Sequence, residues 1–185
     1  MKTFCFIVLL ITSFVSSAQD KKFAVSTNIL NLAVLGPSIA FTYNADPRIG
    51  YQVYASQGGS EAYVYKFKTA IVEARYTFWD YLYIGPYLRY IEKRVQQEGS
   101  SFSYIQFTPA RNFYGKGISA GITLGFKSID TKNVNLEAFG GLGYGKFIEQ
   151  IDYDYPSDHR YGFPDARVGV LVGYKWGTIH TKKKN

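Results

Sequence analysis

Cysteine is nearly absent: Cys5 is the only one in 185 residues. Acidic charge is scarce too, with 14 Asp and Glu against 21 Lys and Arg, a formal net charge of +7, and only 19% of residues charged. That is too little charge for a disordered tail, and an aromatic content of 18% is too high for one. Beyond residue 20 there is no run of about 20 apolar residues, which excludes a transmembrane helix from the body of the chain. Paired metal ligands, a phosphate-binding glycine loop and a nucleic-acid motif are also missing, so no cofactor, metal or nucleic acid is expected. Gly140-Gly141-Leu142-Gly143-Tyr144-Gly145 falls inside a strand pattern rather than before a helix, and its glycines read as space for facing side chains.

The first residues have the three parts of a secretory signal: Lys2 in a positive n-region, an apolar stretch from Phe4 to Val15, and the small-residue site Ser16-Ser17-Ala18. Cleavage is expected after Ala18. Cys5 lies too early in the apolar stretch to accept a lipid anchor, and its removal leaves a chain with no disulfide, thiolate nucleophile or Cys-based metal site. The expected organisation is a signal peptide over 1–18, one folded domain over 19–177, and a basic tail over 178–185. The tail, with His180, Lys182, Lys183 and Lys184, reads as solvated rather than as a nucleic-acid arm.

From Phe23 onward the hydrophobic period is two, the mark of strands with unlike faces. Ile118, Ala120, Ile122, Leu124 and Phe126 alternate with Gly117, Ser119, Gly121, Thr123 and Gly125. The same split recurs in Ala70 to Phe78, Leu82 to Tyr90, Asn133 to Tyr144 and Arg167 to Trp176. Phe23 to Leu32, Ser38 to Asn44 and Ile49 to Ala55 bring the candidates to eight, an even number suited to an up-and-down closed barrel. Pro86 predicts a bulge or a missing ladder bond in its strand.

The non-apolar face consists mostly of Gly, Ser, Thr and Asn, too sparse in charge for a solvated exterior, whereas it suits a narrow lumen. The apolar face then meets lipid, which predicts an eight-stranded antiparallel transmembrane β-barrel. Connection lengths alternate accordingly. Short turns are expected at Ala45 to Arg48, Trp79 to Tyr81 and Asp130 to Lys132 on the periplasmic side. Outer loops are expected at Ala33 to Pro37, Ser56 to Tyr65, Glu92 to Tyr114 and Glu149 to Asp165. Aromatic girdles are read from Phe78, Trp79, Tyr81, Tyr83, Tyr174 and Trp176 at the inner end, and from Tyr63, Tyr65, Tyr90, Tyr114 and Phe147 at the outer end.

Thr27-Asn28-Ile29-Leu30, Pro37-Ser38-Ile39-Ala40-Phe41, Ala74-Arg75-Tyr76 and Leu88-Arg89-Tyr90 together carry a family resemblance. The chain resembles the small outer-membrane barrels of Gram-negative bacteria, the OmpA-barrel and OmpX-like group, and is most similar to an exported barrel family of unknown function. The resemblance implies an outer-membrane location and implies no reaction. The alternating Tyr174 and Trp176 resemble the signal by which the barrel-assembly machinery recognises its clients.

Three side-chain groups stand out. Glu73, Arg75, Arg89 and Glu137 share the inward phase, and charges in so narrow a lumen must be paired, giving either a static salt-bridged plug or an ion path. Lys66, Lys68, Lys93, Arg94, Arg111, Lys116 and Lys146 fall at the outer rim, where they suit the phosphates of lipopolysaccharide, with a plain solvated loop surface as the alternative. Ser157, Asp158 and His159 share the last outer loop and are the only candidates for catalysis. The sequence therefore reads as a non-enzymatic barrel with a plugged lumen whose loops contact lipopolysaccharide or an extracellular partner. A lipid A acyltransferase or deacylase, and a soluble periplasmic lipocalin-like binder, are the alternatives. Protein extracted from membranes should have an intact mass that begins at Gln19, and a full-length mass would refute the signal assignment.

Overall fold

Alternation of small polar with larger apolar residues carries eight strands and one short helical turn in the computed structural model, which describes residues 21–34, 36–60, 65–95, 112–130, 133–152 and 162–178. The elements are β1 (Phe23–Asn28), α1 (Ile29–Val34), β2 (Ser38–Asn44), β3 (Ile49–Ser60), β4 (Tyr65–Trp79), β5 (Leu82–Val95), β6 (Phe113–Asp130), β7 (Val134–Asp152) and β8 (Gly162–Trp176). Each strand pairs antiparallel with the next, and β8 returns to β1 in a register running from Phe23 opposite Trp176 to Asn28 opposite Leu171. The sheet is thus a closed eight-stranded barrel, sealed between β8 and β1 over Phe23–Asn28, while Gly162–Val170 of β8 run beyond that seam with β7 as their strand partner.

One end is drawn tight by local hydrogen bonds. Asp46 Oδ1 accepts from the Arg48 and Ile49 backbone N–H groups at 2.7 and 2.8 Å, forming an Asx-type turn between β2 and β3. Asp80 and Tyr81 alone join β4 to β5. The chain entering β1 is held at the same end, since Asn44 donates its backbone N–H to Lys22 O at 2.8 Å and its side-chain amide to Lys21 O at 2.7 Å.

At the other end the strands run further than the sequence suggests. β4 through β8 extend into segments expected as loops, so that Glu92, Tyr114, Glu149 and Asp165 all lie in the sheet. β1 does the opposite: the strand expected to Leu32 stops at Asn28. The Asn28 side-chain oxygen accepts from the Leu30 backbone N–H at 3.2 Å, an N-cap geometry that starts α1, and also from the Val170 N–H at 3.1 Å. The return from α1 needs Gly36, whose φ is 129°, because a Cβ there would sit 2.6 Å from the Gln57 carbonyl oxygen. At Pro86 the β4–β5 pairing passes from Glu73↔Tyr87 to Tyr76↔Ile84 without pairs between, and keeps the same register to Thr77↔Tyr83 before it shifts at Trp79↔Leu82. The missing N–H of proline accounts for this gap, while Pro86 still faces Ile122 on β6.

Polarity is inverted relative to a water-soluble barrel. Ser26, Thr42, Gln52, Glu73, Arg75, Ser119, Thr123, Asn135, Glu137, Asp165 and Arg167 are buried inside. Val53, Val72, Leu88, Ile122, Leu124, Leu142 and Val168 face outward, each more than half exposed. Two apolar clusters share the interior with the polar groups: Ala40, Tyr54, Ile71, Tyr83, Tyr87, Phe139 and Leu171 at mid-height, and Ile91, Phe147 and Phe163 towards the long-strand end.

The two aromatic girdles are partly corrected by this packing. Phe78, Trp79, Tyr81, Tyr174 and Trp176 do face outward at the tight end. Tyr83 and Phe147 point inward instead, because each occupies the same strand phase as its inward neighbours Gly85 and Gly145. Glycines on β6 provide the space for these rings: a Cβ on Gly125 would fall within the Tyr83 ring, and one on Gly121 against Tyr87. Overpacking therefore predicts that Gly125→Val lowers stability by about 1–3 kcal/mol. Gly140→Ala, on the outward face with nothing within 4 Å of the new methyl, should change it by less than about 0.5 kcal/mol. Urea unfolding of the refolded barrel monitors both.

Candidate functional site

The interior ionic groups are placed by strand phase, which aims every second residue of β4, β5, β7 and β8 into one narrow column. Arg75 is its hub. Its Nε donates to Glu73 Oε1 at 2.7 Å, Nη1 to Glu137 Oε2 at 2.9 Å, and Nη2 to Gln52 Oε1 at 2.6 Å. Gln52 passes its own amide to Thr42 Oγ1 at 3.0 Å, and the guanidinium carbon lies 4.5 Å from the centre of the Tyr83 ring. All three nitrogens of the fork are thus satisfied, by Glu73 on β4 itself, Gln52 on the neighbouring β3 and Glu137 on β7 across the lumen, a spread of donors that a Lys ammonium does not reproduce.

The acids are equally occupied. Glu73 Oε2 accepts from Thr123 Oγ1 at 3.1 Å and from Arg167 Nη1 at 2.6 Å, while Glu137 Oε1 accepts from Asn135 Nδ2 at 2.9 Å. Asn135 also donates to Ser26 Oγ at 3.2 Å, carrying the network onto β1. Nearer the long-strand end a second cluster centres on Asp165. Its Oδ1 accepts from Arg89 Nη1, and its Oδ2 accepts from Tyr87 Oη at 3.1 Å and from Ser119 Oγ. Arg89 further donates to Thr69 Oγ1 at 2.9 Å.

All four residues expected to share the lumen therefore point inward, but they belong to two clusters rather than one. Glu73, Arg75 and Glu137 form the first, while Arg89 stands with Asp165. Asp165 and Arg167 join these clusters as well: the sequence pattern puts Arg167 on the inward face but outside the ionic set, and puts Asp165 at the end of a loop. The signal that finds them is the inward phase of β8 continued two residues upstream, through Arg167 to Asp165. Counting both clusters, Arg75, Arg89 and Arg167 face Glu73, Glu137 and Asp165, so the ion pairs are matched in number.

The rim set divides by face. Lys66, Lys68, Arg94 and Lys146 are exposed on the outer wall near the long-strand end. There Lys66 pairs directly with Arg94 and Lys68 with Glu92 across β4 and β5. Lys116 on β6 donates to Glu149 Oε2 on β7 at 2.8 Å. Lys93 departs from the rim reading. It lies in the inward phase of β5, its Nζ 5.6 and 5.7 Å from the rings of Phe113 and Phe147. Arg111, Ser157, Asp158 and His159 lie outside the described residues.

These features define a class: a closed eight-stranded antiparallel barrel, ionic and hydrogen-bonded within and apolar without. The family model DUF3575, described as a protein of unknown function, matches residues 4–167, and the chain belongs to that family. Comparison with curated proteins and with solved structures gives no match.

Because both Arg75 and Arg167 lean on Glu73, Glu73→Gln should destabilise the barrel by about 3–5 kcal/mol, the cost of leaving buried guanidinium charge uncompensated. Lys116→Gln, at an exposed ion pair, should leave the urea midpoint nearly unchanged. Equal effects would show that the interior pairs carry no special weight.

Proposed function

We propose that the protein is a non-enzymatic barrel of the bacterial outer membrane, exported with a cleaved signal, whose lumen is closed by the Arg75 network and whose outer wall binds the phosphates of lipopolysaccharide. The inverted polarity of the wall supports the membrane reading. On β4 the outward residues from Ala70 to Phe78 form an uncharged run of roughly 27 Å along the strand, or roughly 21 Å for a tilt of ~40°. That is close to the ~25 Å apolar band of outer-membrane barrels. Trp79 and Trp176 border the band at the tight end, and Lys66, Lys68, Arg94 and Lys146 border it at the other. A soluble lipocalin-like barrel requires the reverse arrangement, an apolar interior beneath a charged surface. The outward Tyr174 and Trp176 on β8 fit recognition by the barrel-assembly machinery.

The observation that carries the binding role is the placement of Lys66 opposite Arg94, with Lys68 on the same face of β4. Like charges directly opposed across strands destabilise a sheet, and an anionic phosphate held between them removes that cost through charge-assisted hydrogen bonds. Eight strands enclose a space only wide enough for side chains, and here Tyr83, Leu171 and Thr123 in that space are fully buried, which supports a plug rather than a channel.

Two measurements test this reading. Arg substituted at Ile122, Leu142 or Val168 should lower stability in a lipid bilayer by about 2–4 kcal/mol, and neutral outcomes at all three would refute lipid contact. Changing Lys66, Lys68 and Arg94 together to Gln should weaken lipopolysaccharide binding and flatten its salt dependence, whereas Lys93→Gln, facing inward, should not. Unaltered binding by the triple variant would refute the rim site.

A further inference from the structure

Beside the Asp165 cluster the interior is not filled by ion pairs but opens into a cup. Phe67, Ile91 and Phe163 stand in its wall, Arg167 at its floor, and Arg89 and then Lys93 higher up on β5. Arg167 stands apart from the other buried cations. Its side chain is only 5% exposed, and one nitrogen, Nη1, is bonded to Glu73 Oε2. Nε and Nη2 are buried without a hydrogen-bond partner among the described residues.

These two nitrogens form one edge of the guanidinium, the fork whose parallel N–H groups match the two oxygens of a carboxylate or phosphate. The plane is held in place by stacking, with its central carbon 4.6 Å from the Phe139 ring centre and 5.0 Å from that of Tyr87. A Cβ at Gly141 would stand 2.8 Å from Arg167 Cγ, so the glycine also leaves room for this side chain. Buried donors that stay unpaired are costly, and native proteins retain them where a ligand or solvent completes them.

We infer that this cup is a binding site for a small amphipathic anion, whose carboxylate or phosphate head sits on the Nε–Nη2 edge of Arg167 and whose apolar body lies against Phe67, Ile91 and Phe163. Matching chemistry runs the length of the cup. Lys93 and Arg89 stand between the open end and the Arg167 floor and draw an anion inward. Asp165, the acid beside them, is already engaged by Arg89, Tyr87 and Ser119 and offers no free carboxylate to compete for the fork. The site faces the lumen and uses none of the outward lysines, so it stands or falls independently of the lipopolysaccharide reading.

The test is calorimetric titration of the full chain with hexanoate, hexyl phosphate and hexanol, in phosphatidylcholine nanodiscs, or in plain buffer if the chain proves soluble. Hexanoate or hexyl phosphate, or both, should bind at one site per chain, and the relative strength of the two separates a fatty-acid source from a phosphate-ester source. Hexanol, which has the same tail and no charge, should bind at least tenfold more weakly. Arg167→Lys keeps the charge but loses the fork and should weaken the anion at least tenfold. Should that variant fail to fold, Ile91→Trp, which fills the cup and leaves the ion pairs intact, should abolish binding. An absence of anion binding, binding of hexanol as tight as that of the anions, or anion binding that survives Ile91→Trp would each overturn the assignment.

Discussion

The ion pairing of Arg75 with Glu73 and Glu137 is the constraint on which the rest of the barrel depends. A guanidinium enclosed by eight strands loses its hydration, and that loss is tolerable only if each of its nitrogens meets an acceptor in good geometry. Gln52, Glu73 and Glu137 supply those acceptors from β3, β4 and β7, while Tyr83 on β5 supplies the ring beneath. Thr42, Thr123, Ser26 and Arg167 extend the same network to β2, β6, β1 and β8. Every strand thus contributes to one polar structure, so register errors in any of them break a buried bond. This is the means by which a chain without disulfides in its barrel specifies a single closure.

The choice of residues elsewhere follows from placing polarity inside. Large rings and guanidinium groups within a narrow lumen demand that facing positions be small, which is met by the glycines of β6 and β7. The outer wall is freed from carrying charge and takes Val, Ile, Leu and Tyr. Charge returns to the outer face only past the ends of this apolar wall, where Lys66, Lys68, Arg94, Lys116 and Lys146 stand. Among the described residues the Arg167 fork carries two buried donors without an acceptor, and the lining there changes from ion pairs to Phe and Ile.

Much of this was legible from period-two alternation, because a closed barrel imposes one rule on every strand. The strand at Gly117 to Phe126 declared both faces in sequence, and Glu73, Arg75, Arg89 and Glu137 followed from phase alone. What escaped was local. Asn28 ends β1 through a side-chain hydrogen bond that competes with the ladder, and such a cap is indistinguishable in sequence from an ordinary strand Asn. Asp165 escaped because its neighbours 156–164 include two prolines and read as loop, although Pro164 sits in β8 on the outward face. For Lys93 height along the barrel suggests the rim, whereas its phase, shared with Arg89 and Ile91, points it inward. Tyr83 and Phe147 follow the same rule: their height suggests a girdle and their phase turns them inward.

The central claim is that the apolar wall faces lipid. Cys5 is the sole cysteine and lies in the segment expected to be removed, so single cysteines introduced at Val72, Leu124, Leu142 and Val168 can carry a spin label without background. In reconstituted vesicles, labels at these four positions should be accessible to oxygen and shielded from a water-soluble nickel chelate. Labels at Lys66 and Arg94 should show the opposite preference. Equal access of the nickel chelate to all six positions would contradict the account.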